Sequence, residues 1–377
     1  MNLAAEYFHE QYPQAMSFDT SYDSIIQRLE SIDPAAYGRT RNWIDGAVTR
    51  LSPYISRGVI STRMVMEYIL NLGHPFYKVE KLIQELAWRD YWQQVWIAKG
   101  DQINRDLKQP QFDVHNWEMP SSIEQGHTGI EAIDQAIEQF YVDGYLHNHV
   151  RMYIACLACN IGKSHWKIPA HWMYFHLIDG DWASNALSWQ WVAGSNAHKK
   201  YFANQGNINK YCHTKQQGTF LDVSYEQLTK MAIPAELEAT TIPVLTSNLP
   251  AGDTLKLDPS LPLLIYNYYN LDPQWRKEET ANRVLLLEPS VFQEYPVSEN
   301  SMNFMLGLTR NIPGLQVYVG EFDQLKRETG VEQIFYKEHP LNVNYQGTQD
   351  SRDWMFSVTG YYRSFFSFWK ACKKELP

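Results

Sequence analysis

Three stretches of this sequence gather residues whose types could do chemistry. In Lys81–Trp96, Glu85, Trp88, Arg89, Trp92 and Trp96 recur three or four residues apart, so a helix would bring a carboxylate, a guanidinium and three indoles to one face. Aromatic stripes are common on core-facing helices. A carboxylate and an arginine within the stripe point beyond packing, because burying either without a partner is costly. In Tyr145–Met152, Asn148, Arg151 and Met152 share a helical face and set an amide, a cation and a polarisable thioether together. His147 and His149 read equally as surface or helix-start residues, and no Cys, Asp or Glu stands at metal-ligand spacing from them. The third stretch, His176–Trp191, is the densest. Asp179 and Asp181 flank Gly180, Asn185 follows, and Trp189 and Trp191 lie two residues apart, so they cannot share a helical face.

A fourth, shorter feature is Val48–Tyr54, where Thr49, Arg50 and Ser52 precede a proline. This reads as a helix start, by itself a capping signal, and its free N–H groups could also receive a phosphate.

These groups need a scaffold, and the composition supplies one. The chain has 377 residues, 14% aromatic and 20% charged, enough for a sizeable core and two or three domains. The net charge of −9 means that a polyanionic partner must meet a local basic patch. Four scattered cysteines, Cys156, Cys159, Cys212 and Cys372, give no disulfide framework and fit a reducing cytoplasm. No apolar run approaches a membrane span, and Met1–Glu6 shows no secretory signal.

Apolar spacing is helical from residue 1 to about 235, and the Pro-, Gly- and Asp-rich text between Ile242 and Pro262 reads as a linker. Short apolar runs follow at Leu263–Tyr266, Val284–Leu287, Leu315–Val319 and Gln333–Tyr336, with helical text at Ser301–Thr309 and Asp323–Thr329. This alternation predicts a small parallel α/β unit. The aromatic tail Arg352–Lys374 reads as a closing helix. The expected organisation is helical over 1–240, linker over 241–262 and small α/β over 263–377.

Taken in order, the four stretches resemble the helical FAD-binding domain of the DNA photolyase and cryptochrome family over roughly residues 35–215. The fold class is therefore expected to be mainly α, an all-helical photolyase-type domain followed by a small α/β domain. The resemblance implies FAD, with Tyr37 (or Arg41), Thr49, Arg50, Leu51 and Ser52 toward its phosphates and Asp179, Asp181, Asn185 and Arg151 around the isoalloxazine and ribose. It implies that Glu85, Trp88, Asn148, Met152 and Trp191 line a cavity for a flipped pyrimidine dimer. Asn148 and Met152 stand where (6-4) photolyases carry histidines, which favours the cyclobutane-dimer type.

By the same resemblance Trp189 and Trp166 are the first two members of a tryptophan chain that photoreduces FAD. The third position falls near Asp113, where no Trp stands, with Trp117 nearby. The expected partner is UV-damaged DNA, met by Arg89, Lys199 and Lys200 with Arg39, Arg41, Arg57 and Arg63 as further candidates. The implied activity is that of a monomeric, cytoplasmic deoxyribodipyrimidine photolyase, with a FAD-binding blue-light sensor as the alternative. The family's N-terminal antenna domain is missing from its usual place. Whether the C-terminal α/β unit is a relocated, shortened counterpart is left open: it has few strands, no antenna-chromophore site is identified in it, and a second antenna chromophore is left open. No iron–sulfur cluster is expected, since the cysteines do not cluster.

Overall fold

A computed structural model describes residues 18–377. The helical part contains α1 (Tyr22–Glu30), α2 (Pro34–Thr40), α3 (Ser52–Ser56), α4 (Thr62–Asn71), α5 (Phe76–Lys99), α6 (Glu131–Asp143), α7 (Asn148–Cys156), α8 (Lys167–His176), α9 (Trp182–Ala193) and α10 (Gln205–Cys212), with shorter turns between. Local chemistry sets many of their ends. Ser21, Asp33, Ser61, Asp181 and Asn204 each cap a first turn through a side-chain oxygen. Gly144 and Gly194 end α6 and α9 in the left-handed conformation. A two-residue antiparallel ladder, Met119–Pro120 with Thr240–Thr241, and a single parallel bridge between Asn116 and Ser164 interrupt the helices and turns before residue 242.

Beyond it lie β1 (Leu263–Tyr266), β2 (Asn282–Leu287), α11 (Glu299–Thr309), β3 (Leu315–Val319), α12 (Phe322–Thr329), β4 (Ile334–Lys337), β5 (Thr348–Asp350) and α13 (Phe365–Cys372). The strands form one parallel sheet in the order β3-β2-β1-β4-β5. Winding from β1 proceeds one way to β2 and β3, then resumes on the other side at β4. Alternation along the strands sorts the core into two faces. Leu264, Tyr266, Leu285 and Leu287 pack with the core shared by the helices, while Leu263, Ile265, Val284 and Leu286 meet Phe322 and Leu325 of α12.

The segment read as a linker is irregular but tied down. Asp253 exchanges two hydrogen bonds with Val317, and Lys256 N–H donates to Gln316, so it runs along the outer edge of β3 and covers it. The tail differs from the expected long helix. Helix begins only at Phe365, because Gly360 turns at φ +90° and the preceding residues are drawn into tertiary bonds, Met355 N–H to Asp90 and Gly360 N–H to Gln94.

No helix among the described residues is long and apolar enough to cross a membrane. All four cysteines are buried free thiols.

Candidate flavin and electron-transfer site

The loop before α9 is the best-anchored element of the site. The Asp179 carboxylate, 2% exposed at its side chain, receives Arg151 Nη2 at 3.0 and 2.8 Å. Its carbonyl accepts from Ser56 Oγ at 2.7 Å, and the Gly180 carbonyl accepts from Arg57. A Cβ at Gly180 would lie 2.9 Å from the Leu177 carbonyl, so the turn admits no side chain. Asp181 then caps α9, taking Ser184 N–H at 2.7 Å and Gln93 Nε2 at 2.5 Å. Burial alone would raise the Asp179 carboxyl. The Arg151 guanidinium, aided by Ser52 and Arg89, overcomes it and holds the group below its ordinary value.

Positive charge collects beside this pair. Arg151, Arg50 and Arg28 all act on Tyr145, whose hydroxyl burial nevertheless raises. His147 is pushed down to about 4, first by burial and then by His149, Arg151 and Arg50. Its Nδ1 accepts His149 N–H at 3.1 Å, which leaves the proton on Nε2, a buried donor that faces the Arg41 backbone without a close hydrogen bond. Arg50 makes no ion pair among the described residues and holds φ +54°, a left-handed conformation costing a non-glycine residue on the order of 1–2 kcal/mol. An unpaired cation in a strained turn close to the Arg151 guanidinium is an arrangement suited to an anion. Thr49 meanwhile caps locally, accepting Leu51 N–H at 3.4 Å, and Leu51 is buried. Burial and the Glu85 charge raise Tyr37.

Asn185 is buried on α9 and donates to the Ala170 carbonyl of α8 at 2.8 Å. Trp189 and Trp166 are buried, on α9 and at the start of α8, and Trp166 Nε1 donates to Asp106 at 2.8 Å.

The residues expected around a dimer are less closely gathered. Glu85 is bound by Lys81 at 2.7 Å and approached by Arg41 at 3.8 Å. Trp88 is half-buried and stacks at 3.6 Å on Phe365 of α13, while Trp92 and Trp96 are core. Asn148 is exposed, Met152 half-buried, and Trp191 is 39% exposed and neighbours Tyr201 rather than Trp88.

The basic patch needs correction. Arg57 is fully buried, its guanidinium 3.5 Å over the Tyr268 ring, so it cannot meet a DNA backbone. Arg63 is committed to Asp353 at 2.8 Å and the Trp354 carbonyl. Arg89 is half-buried and donates to Ser56, and burial lowers Lys200, leaving Lys199 and Arg39 as the exposed members.

Sequence reasoning missed a cavity of about 350 Å³ between the helices and the sheet, lined by Arg89, Asp181, Asn270, His339, Arg352 and Trp354. It lies at the carboxyl ends of β1 and β4, where the winding reverses, the usual ligand position of such sheets. Both Asn270 amide atoms, His339 Nε2 and Arg352 Nε are buried without partners. No motif marks Asn270, His339 and Arg352; only strand order brings them to Arg89 and Asp181.

The model of the FAD binding domain of DNA photolyase matches residues 82–234. A deoxyribodipyrimidine photo-lyase of Alkalihalophilus pseudofirmus is 30% identical over 178 residues, 46% of this chain and 37% of the relative. A cryptochrome DASH of Gloeobacter violaceus is 30% identical over 168 residues, 42% of this chain and 33% of that one. A solved Synechocystis cryptochrome aligns with 54% of this chain and 47% of its own at 23% identity, with a TM-score of 0.47. The aligned part thus spans less than two fifths of these curated relatives. Residues 82–234 thus match the FAD binding domain of DNA photolyase, and over this stretch the chain is similar to members of the photolyase and cryptochrome family, with FAD as the cofactor of that domain.

Proposed function

We propose that this protein is a light-dependent repair flavoprotein that splits cyclobutane pyrimidine dimers, organised as a helical FAD-binding domain followed by a small α/β domain. The observation that carries the flavin assignment is the buried Arg151–Asp179 pair beside the unpaired Arg50 in its left-handed turn. Arg50 and Arg151 supply charge-assisted donors to the diphosphate, with Thr49, Leu51 and Ser52 shaping the turn and Tyr37 nearby. Asp179, Asp181 and Asn185 orient the isoalloxazine and ribose side. Bound FAD supplies the light-driven electron, and the protein supplies binding, orientation and electrostatics.

The damaged DNA is read as a flipped dimer, which is poorly paired and cheap to extrude. Trp191, exposed and apolar, and the free part of Trp88 wall the dimer, with Met152 packing and Asn148 and Glu85 hydrogen-bonding. Lys199 and Arg89 act at the mouth. Repair of a thymine-dimer oligonucleotide by chemically reduced protein under blue light tests this. Full dimer recovery without splitting, in a protein that binds FAD, selects a blue-light sensor instead; the Phe365 ring stacked on Trp88 favours that alternative.

A further inference from the structure

We propose that Trp117, reached from Trp166 across the ring of His165, is the surface terminus of the tryptophan route, although the position expected for it is Asp113. This rests on the reading of Trp189 and Trp166 as an electron route.

The geometry is a graded stack. Trp117 is 67% exposed and lies on the His165 ring at 4.1 Å and 24°. His165, buried, touches the Trp166 ring at 5.6 Å, and Trp166 is fully buried. The stack is held from both sides. His165 N–H donates to the Asn116 carbonyl at 2.9 Å and His115 N–H to the Lys163 carbonyl at 2.8 Å. The Asn116 side chain takes Ser164 Oγ at 3.0 Å and Glu118 N–H at 3.1 Å. Residues 115 and 116 are thereby pinned alongside 163–165, which holds the backbone that carries the Trp117 indole next to the His165 ring. Asp113 carries no ring, and its carboxylate is taken up by His115 at 3.0 Å and Lys163 at 3.1 Å.

The charges suit an electron vacancy moving outward. Asp106 accepts from Trp166 Nε1 and lies 3.4 Å from His165 Nε2, and these contacts hold its carboxyl below the ordinary value despite burial. A positive charge passing over Trp166 is therefore stabilised where water cannot reach it. At Trp117 water takes over that role.

One electron moves at each step and no heavy-atom bond breaks. When Trp189 gives an electron to the photo-excited oxidised cofactor, Trp166 refills Trp189 and Trp117 refills Trp166. His165 bridges the rings and is not oxidised, a positioning residue. The Trp117 radical cation releases its Nε1 proton to water. A soluble one-electron reductant of the ascorbate or thiol class returns the electron, and water returns the proton.

Blue-light photoreduction of the flavin-loaded protein with ascorbate tests this. Trp117→Phe should slow reduction about tenfold or more. His165→Ala should do the same, and His165→Phe, which keeps a ring in the gap, should restore the rate. In the flavin-free protein, photo-generated ruthenium(III) tris-bipyridine should place the green-absorbing neutral indole radical on Trp117, and Trp117→Phe should remove most of it. Parent-like photoreduction in Trp117→Phe while Trp189→Phe is slow overturns the inference and leaves the route reading standing. Parent-like rates in both overturn the route itself. An unchanged radical yield in flavin-free Trp117→Phe also overturns the inference.

Discussion

Arg151 meets Asp179 through a single nitrogen, Nη2, which donates to both carboxylate oxygens while Nε is spent on the Leu146 carbonyl at 2.9 Å. Removing the cation strands a buried carboxylate. Arg151→Met should therefore cost about 3–5 kcal/mol of stability, read as a shifted urea midpoint at constant slope. Asp179→Asn, which keeps an acceptor for Arg151, should cost less. The low Asp179 value contributes stability above its unfolded 3.8 that is lost as pH falls through the folded value.

Arg50 separates a binding role from a capping role by sign. Glycine adopts φ +54° freely, so Arg50→Gly should stabilise the flavin-free protein by about 1 kcal/mol. The same change should weaken FAD binding by about 1.5–3 kcal/mol through the lost charged donor. Thermal melts without flavin and flavin titration followed by fluorescence measure the two. Unchanged affinity would reduce Arg50 to part of a turn.

Three largely buried histidines, His147, His171 and His176, are each pushed down to about 4, first by burial. Unfolded chains take up these protons near pH 6.5 and the folded protein does not, so stability should fall as pH drops from 6.5 to 4. Asp90 opposes them: burial raises it to about 6, so the folded state takes up its proton first. Among these four groups the net difference is roughly two protons, each about 1.4 kcal/mol per pH unit, and His149 and His339, also lowered by burial, add to the same side. Melting temperatures across that range should show the decline, and His176→Phe, within the ring cluster of Phe140, Tyr141 and Trp172, should flatten it by about one proton.

Gly58 sits at φ +67°, and a Cβ there would lie 2.5 Å from the Tyr269 carbonyl, where the helices meet the loop after β1. Gly58→Ala should destabilise by roughly 2–3 kcal/mol, combining conformational strain with a clash against backbone. Equilibrium unfolding checks this, and a loss below about 0.5 kcal/mol would mean that the junction yields easily.

The sequence was most legible where one period governed a segment. The 3.6 spacing of Trp88, Trp92 and Trp96 marks α5, and apolar runs mark four of the five strands to within two residues of their ends. The fifth, Thr348–Asp350, is a polar edge strand without an apolar residue, so no pattern announces it. Arg57 looked like a surface cation because nothing local reveals that Tyr268, over 200 residues later, offers its ring. The aromatic tail mimics an amphipathic helix before Phe365, where tertiary hydrogen bonds override periodicity. At the site, Asp179 with Arg151 was legible from their resemblance to a known pattern. The interregion cavity was not, since its walls come from strand ends far apart in the chain.

The packing of α13 on α5 has a bearing on synthesis. Phe365 on Trp88 and Lys373 on Glu80, the latter pair 293 residues apart, cover a helix translated early with a segment translated late. At ribosomal rates of about 5–20 residues per second, the aromatic flank of α5 waits on the order of tens of seconds for its cover. Over that interval the nascent chain carries Trp88 and Tyr91 without their cover, as a chaperone client would, and the early helices close only when the late segment arrives.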